Sequence, residues 1–308
     1  MRYKITADST CDLGRDLIER YDIGILPLYV QLGEKTYRDG IDIQPDDIYA
    51  HVAAGGELAT TAAVNLADYV RTFTELSDRY DFVIHVNISS DFSCSHQNAK
   101  LAAADLPNVY VVDSRSLSTG HGHIVLEAAR MAAEGMGPEE IVQQLEALTA
   151  RVDASFILEQ LEYMKKSGRC SAVALLGANL LKLRPCIEVK DGKMGVAKKY
   201  RGTFAKCLEA YIADRLAGRD DIELGRIFIT HSGVPDEIIA LAKSCIAKYQ
   251  TFDEVCVTRA GCTVSSHCVE PIATSVSMLR ERCTSPLKPL MKNFWVLMLK
   301  VPLVFTPV

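Results

Sequence analysis

The sequence predicts an α/β protein of two domains: an N-terminal parallel sheet flanked by helices, then a second α/β domain with a mixed sheet. Three observations carry this. With 308 residues, 48% of them hydrophobic and 24% charged, the chain is long and apolar enough to bury two cores. Short β-rich apolar runs alternate with amphipathic stretches through the first half, the pattern of parallel strands joined by helical crossovers. The second half changes rhythm and places an Asp191-Gly192 turn between two strand-like runs, a hairpin signal that calls for antiparallel pairing.

Taken in order, Tyr3–Asp8, Gly24–Leu32, Phe82–Ile88 and Val109–Asp113 read as strands, since each is a short apolar run rich in β-formers. Leu66–Tyr80, Ser93–Asp105 and His123–Ala133 read as amphipathic helices, and Pro138–Val152 as a charged one. A domain boundary is expected near residue 152, dividing the chain into 1–152 and 153–308. Beyond it come a strand at Phe156–Leu158, a helical pair around Leu161–Lys182, and a hairpin of Cys186–Val189 with Val196–Tyr200. Helix Phe204–Ala217, strand Arg226–Thr230, helix Asp236–Tyr249 and strand Glu254–Arg259 follow.

Charge narrows the function classes. A net charge of −5, with no basic run interleaved with aromatics, leaves nothing to neutralise a phosphate backbone, so no nucleic-acid partner is expected. The amino terminus, MRYKITADST, turns polar within a few residues and lacks the apolar core of a signal peptide, which points to the cytoplasm. Ten scattered cysteines without a CxxC pair read as reduced structural thiols.

Parallel sheets place ligands at the carboxyl ends of their strands, so the residues there matter most. Tyr3–Ala7 runs into Asp8-Ser9-Thr10-Cys11-Asp12, and Val109–Val112 into Asp113-Ser114-Arg115-Ser116. The strand ending at Ile88 runs into Ser89-Ser90-Asp91-Phe92-Ser93-Cys94-Ser95. One hydroxyl or carboxylate suffices to cap a helix, at about 1 kcal/mol. Four serines and an aspartate exceed that need. Hydroxyls beside free helix amides make a neutral, strongly donating cradle for a carboxylate or phosphate. The sequence has no GxSxG elbow for a serine hydrolase and no GxxxxGK[ST] phosphate loop. Gly120-His121-Gly122 starts like a dinucleotide fingerprint, but Val125 stands where the third glycine belongs. His121 and His123 are too close in sequence to share a helical face, so no metal site is expected.

Eight stretches, in order, resemble one family. They are DSTCDL (8–13), Thr60-Thr61, ISSDFSCSHQNA (88–99), VDSRSLSTGHG (112–122), LEYMKKSGRCS (161–171), LLKLRPCIEVKDGK (180–193), HSGVPDE (231–237) and Ser265-Ser266-His267. Together they are similar to the motifs of the DegV family of bacterial fatty-acid-binding proteins. The resemblance implies a DegV-like two-domain fold holding one long-chain fatty acid between its domains, with no other cofactor. It also implies a partner, the catalytic subunit of a fatty acid kinase that supplies the ATP site, and transient contact with membranes.

By the same resemblance, Ser93 and Thr61 hold the carboxylate, with Arg169 and His267 behind them and Ser95 and Thr60 as additional candidates. The sequence departs from the family where Cys94 replaces a glycine, Ser95 a threonine, and the threonine loop reads Thr61-Ala62-Ala63-Val64. The apolar stretch Ala172–Leu181 would line an acyl tunnel, where each buried methylene contributes about 0.8 kcal/mol. The match ends near residue 268, and Phe294–Phe305, too short to span a bilayer, reads either as a divergent final strand or as the product of a shifted reading frame. An alternative from another class is a small-molecule enzyme that uses the serine cradle for a phosphorylated or carboxylated substrate, with His267 as base.

Overall fold

A computed structural model describes residues 1–158, 162–170, 183–267 and 273–281. The sequence expectations for 171–182, which include the Ala172–Leu181 helix, and for Phe294–Phe305 lie outside the described residues.

The first sheet is parallel and four-stranded, in the order β2-β1-β6-β7. β1 (Tyr3–Asp8) and β6 (Phe82–Asn87) are its centre, and every residue of β6 is buried. That explains an apolar run without alternation, since both faces are covered. β7 (Val109–Asp113) and β2 (Gly24–Leu26) are the edges. The run 24–32 is not one strand. Pro27 has no donor for a ladder, and β3 (Tyr29–Leu32) leaves to pair with β4 (Lys35–Arg38) and β5 (Thr60–Ala62) in a small antiparallel sheet. The Leu28 amide at the break is taken by Ser9 Oγ at 3.1 Å. α1 (Arg15–Arg20), α2 (Pro45–Ala53), β4 and β5 have no counterpart in the sequence reading.

α3 (Leu66–Ser77) buries Tyr69 and Phe73 on one face and is capped by Asn65, whose side chain accepts from Asp68 N at 2.9 Å. α4 (Ser95–Ala103) follows β6 and α6 (Pro138–Thr149) follows α5 (Ser118–Ala133). α5 starts five residues earlier than its sequence pattern suggests and is buried along almost its whole length. Its glycines explain both facts. A Cβ on Gly120 would lie 2.3 Å from Ser116 Oγ and 2.8 Å from Ala154 Cβ, and one on Gly122 would lie 2.8 Å from the Cys11 carbonyl. GHGH is therefore a close-packing motif. Its histidines face different strands: His121 Nε2 lies 3.1 Å from the Val86 carbonyl, and His123 stacks edge-on against Phe228 at 4.9 Å.

The second sheet is six-stranded and mixed, in the order β10-β9-β8-β13-β11-β12. It comprises β8 (Val152–Leu158), β9 (Leu183–Lys190), β10 (Lys193–Arg201), β11 (Ile222–His231), β12 (Glu254–Arg259) and β13 (Ala273–Arg280). Only β11 and β12 pair in parallel. The β9–β10 hairpin turns at Asp191 and Gly192, both with positive φ (51° and 81°), as a type I′ turn requires. α7 (Glu162–Ser167), α8 (Phe204–Leu216), α9 (Asp236–Tyr249) and α10 (Cys262–Ser266) complete the described elements. One core runs from β1 and β6 through α5 and α6 to Ala154, Phe228 and Leu279 of the second sheet. No helix among the described residues is long and apolar enough to cross a membrane.

Two buried carboxylates from the first hundred residues fasten α10. Asp39 accepts from Cys262 N (2.8 Å), Thr263 N (3.0 Å) and Ser9 Oγ (3.0 Å). Asp12 accepts from Gly261 N (2.8 Å) and Ser118 Oγ (2.5 Å). Burial without a cation pushes the Asp12 carboxyl from the usual 3.8 up to about 7, against the pull of those two donors. A raised acid stabilises the fold most when protonated, so this contribution is full below the unfolded value and lost as pH rises toward 7. Asp12 also sits in the left-handed region (φ 48°), which asparagine tolerates. Asp12→Asn is expected to keep the fold and to gain melting temperature over the wild type progressively from about pH 4 to 7, with a constant gap above. Calorimetric scans across that range test it; parallel curves would show that Asp12 does not carry this cost.

Candidate functional site

A cavity of about 360 Å³ lies where the strand ends of both sheets meet. That volume falls within the range of small-ligand pockets. From the first sheet it takes the segment after β6, Leu117 ahead of α5 and Ser118 at its start; from the small sheet, Thr61 and its neighbours; from the second, Phe156, Met194 and the ends of β11 and β12. Leu28, Ile88, Phe92, Leu117, Phe156 and Met194 make much of the wall apolar.

The serine cluster divides its labour. Ser89 Oγ donates to the Gly192 carbonyl at 2.8 Å, and Asp91 faces Arg115 (3.6 Å) and Lys193 (3.8 Å). These contacts latch the segment after β6 onto the β9–β10 hairpin of the other sheet. Ser93 and Ser95 form a relay, with Oγ atoms 3.0 Å apart. Val64 N donates into Ser95 Oγ (3.3 Å) and Ser95 N into Ser93 Oγ (3.2 Å). Each oxygen takes one amide and either hydroxyl can donate to the other, so the Ser93 proton can turn to Ser95 or to the cavity. Cys94, the residue before α4, makes no side-chain cap, and Ser93 alone takes an amide of the first turn, so the other serines are not needed to cap that helix. An acceptor suits this place, above all an anionic one.

Thr61 and His267 meet across the cavity, 206 residues apart in sequence, with Oγ1 and Nε2 3.1 Å from each other. Burial first, and the Arg169 charge second, hold the His267 ring down to about 4, so it is neutral at physiological pH. Arg169 lines the same cavity with an exposed side chain. The structure thus brings Thr61, Ser93, Arg169 and His267 around one space. Ser95 is fully buried beneath Ser93 rather than in the wall. Thr60 is exposed on β5, because alternation along a strand turns it to the face opposite Thr61, and it is not among the lining residues.

Other motif residues build the frame. Asp8 accepts from Ile88 N (2.7 Å) and Thr10 N (3.1 Å), which ties β1 to the end of β6. Ser265 and Ser266 donate to the Ala260 and Cys262 carbonyls at 3.2 and 2.8 Å, stiffening the turn that carries His267. Sequence reasoning missed Thr230, Ser232, Thr263 and Ser275 as wall residues. Ser232 had a signal, lying in the HSGVPDE motif, and so did Thr263, one helical turn before His267.

The model of the DegV family, described as uncharacterised, matches residues 2–281. The match therefore runs past residue 268, where the sequence motifs stop, and includes β13. Protein DegV of Bacillus subtilis is 30% identical over 255 residues, 81% of this chain and 89% of that protein. Among solved structures, a DegV family protein of Thermus thermophilus, described by its fatty acid binding, superposes with a TM-score of 0.82 at 32% identity, covering 91% of this chain and all of that one. A stearic-acid-binding protein of Eubacterium ventriosum superposes at 0.77 with 25% identity, covering 91% and 98%. The chain belongs to the DegV family.

Proposed function

We propose that this chain binds one long-chain fatty acid in the cavity and presents its carboxylate to a separate ATP-dependent kinase subunit for acyl-phosphate formation, with no turnover of its own. The observation that carries the reading is the Ser93 hydroxyl, which lines a largely apolar cavity together with Thr61, Arg169 and His267 and has an amide donating into its oxygen. Ser93 and Thr61 are the direct carboxylate donors. Arg169 offsets its charge, and neutral His267 donates from Nε2 to Thr61 Oγ1, which leaves the Thr61 proton for the carboxylate. Residues 1–152 act as the lobe that bears the head-group cradle, and 153–308 as the lobe that closes over the chain. The absence of a phosphate loop in the sequence favours a kinase partner over self-contained ATP chemistry. Loading from a membrane by transient contact, in the cytoplasm, completes the proposal.

Native mass spectrometry of protein purified from cells is the first test: a retained fatty acid supports the carrier, and an empty or nucleotide-bound protein favours a small-molecule enzyme. Titrating delipidated protein with saturated acids of increasing length is expected to show affinity rising by up to about 0.8 kcal/mol per methylene, with short acids essentially unbound. A flat response would reject the carrier. Ser93→Ala is expected to weaken binding by about 1.5–3 kcal/mol, the worth of a hydrogen bond to a charged group, and wild-type affinity in that variant would remove Ser93 from the site. Arg169→Ala is expected to slow phosphorylation in the presence of kinase more than it lowers the melting temperature; equal losses would make the arginine structural.

A further inference from the structure

A buried chain of polar side chains runs from the head-group cradle into the first sheet. Ser95, fully buried beneath Ser93, has its Oγ 3.0 Å from that of Ser93 and takes the Val64 amide at 3.3 Å. The phenol of Tyr69 on α3, which has no exposure of its own, is hydrogen-bonded to Ser95 as well. Burial holds that phenol well above its ordinary value, so it keeps its proton. Asn87 at the end of β6 donates from Nδ2 to the Tyr69 oxygen at 2.8 Å, and the same nitrogen lies 3.0 Å from His85 Nε2 and 3.4 Å from Asp8 Oδ2. The Asp8 carboxylate, which takes the Ile88 amide with that oxygen, can only accept, so it turns the Asn87 nitrogen rather than its oxygen toward this group.

Counting protons gives this chain a direction. An amide nitrogen cannot accept, so the Tyr69 proton has no place at Asn87, and Ser95 is its acceptor among the described residues. Ser95 Oγ then has both lone pairs occupied, by Tyr69 and by the Val64 amide, and its own proton goes to Ser93. Ser93 Oγ in turn takes that proton and the Ser95 amide at 3.2 Å, which directs its hydrogen out into the cavity it lines. The reverse order would strand the Tyr69 proton where no water reaches. Resting on the carrier reading above, we propose that Tyr69 is a positioning residue: through Ser95 it holds Ser93 as a donor and so selects a ligand head group that only accepts, a carboxylate over an alcohol.

The test is calorimetric titration of the delipidated full chain with dodecanoate and with dodecan-1-ol, each below the concentration at which it aggregates. Wild type is expected to prefer the acid, because an alcohol has a proton to place and Ser93 held in this state offers it no acceptor. Tyr69→Phe keeps the ring in the core and removes the hydroxyl. It is expected to narrow the preference for the acid about three- to tenfold, the effect of one neutral hydrogen bond, since Ser93 can then turn and accept. In a Ser93→Ala background the same substitution is expected to change the preference no further. Ser95→Ala cuts the chain from its other end and is expected to narrow the preference as well. Equal losses for acid and alcohol in Tyr69→Phe would make the tyrosine structural and overturn the proposal, as would a preference that this variant leaves unchanged. Equal binding of the two ligands by wild type overturns it even if the variants fold poorly, and leaves the carrier standing. Failure of wild type to bind dodecanoate overturns both readings.

Discussion

The arrangement depends on one helix being allowed to come unusually close to its neighbours. α5 has a glycine face where Gly120 meets Ala154 of the second sheet and Gly122 meets the Cys11 carbonyl after β1, at separations that no side chain fits. Backbone approach of this kind lets a single helix belong to two sheets, and the shared core follows from it. Once α5 is fixed, its amino end lies where the carboxyl ends of β6 and β11 converge, and the cavity occupies the space left there. An added methyl at either glycine would push the sheets apart and open the site without touching a residue in it.

A second constraint is electrostatic. Asp8, Asp12 and Asp39 are all buried, and among the described residues the hydrogen bonds to them come from amides, hydroxyls and an asparagine rather than from arginine or lysine. Such acids replace missing helix partners and stitch distant segments together, but they leave the surroundings of the cavity negative. That background makes Arg169 more valuable to a carboxylate ligand than an arginine in neutral surroundings would be. The His267 ring stays uncharged all the same, because burial lowers its pKa and the Arg169 charge lowers it further.

How much of this was legible depends on where each element finds its partners. β1, β7, α9 and β12 lie at the residues their apolar patterns mark, since a buried strand or amphipathic helix writes its burial into its own composition. The small sheet of β3, β4 and β5 does not. Its core pairs Val30, Ile43, Ile48 and Ala59 with Cys262, more than two hundred residues away, so each local stretch looks mostly polar. The amino end of α5 was hidden because glycine lowers helix propensity in the very place where close packing demands it. Ser93 and Thr61 could be singled out by resemblance, while Thr230 and Ser275 could not, because a place in a cavity wall shared by two sheets is a property of the fold and leaves no trace in a residue string.

On the carrier reading, the use of hydroxyls rather than cations as direct ligands bears on what the protein has to do. A desolvated arginine–carboxylate pair is difficult to break, because separating it leaves a buried charge uncompensated. Ser93 and Thr61 are neutral, and when a carboxylate leaves, each still has a protein neighbour: Ser93 with Ser95, and Thr61 with His267. The empty cradle is therefore not strained, and the penalty for release falls mainly on the apolar chain. On the carrier reading, this puts affinity in the tail and exchange in the head, so that the reacting carboxylate can be offered to a partner while the methylenes stay buried. An exposed Arg169 at the cavity wall then adjusts charge without locking the ligand in place.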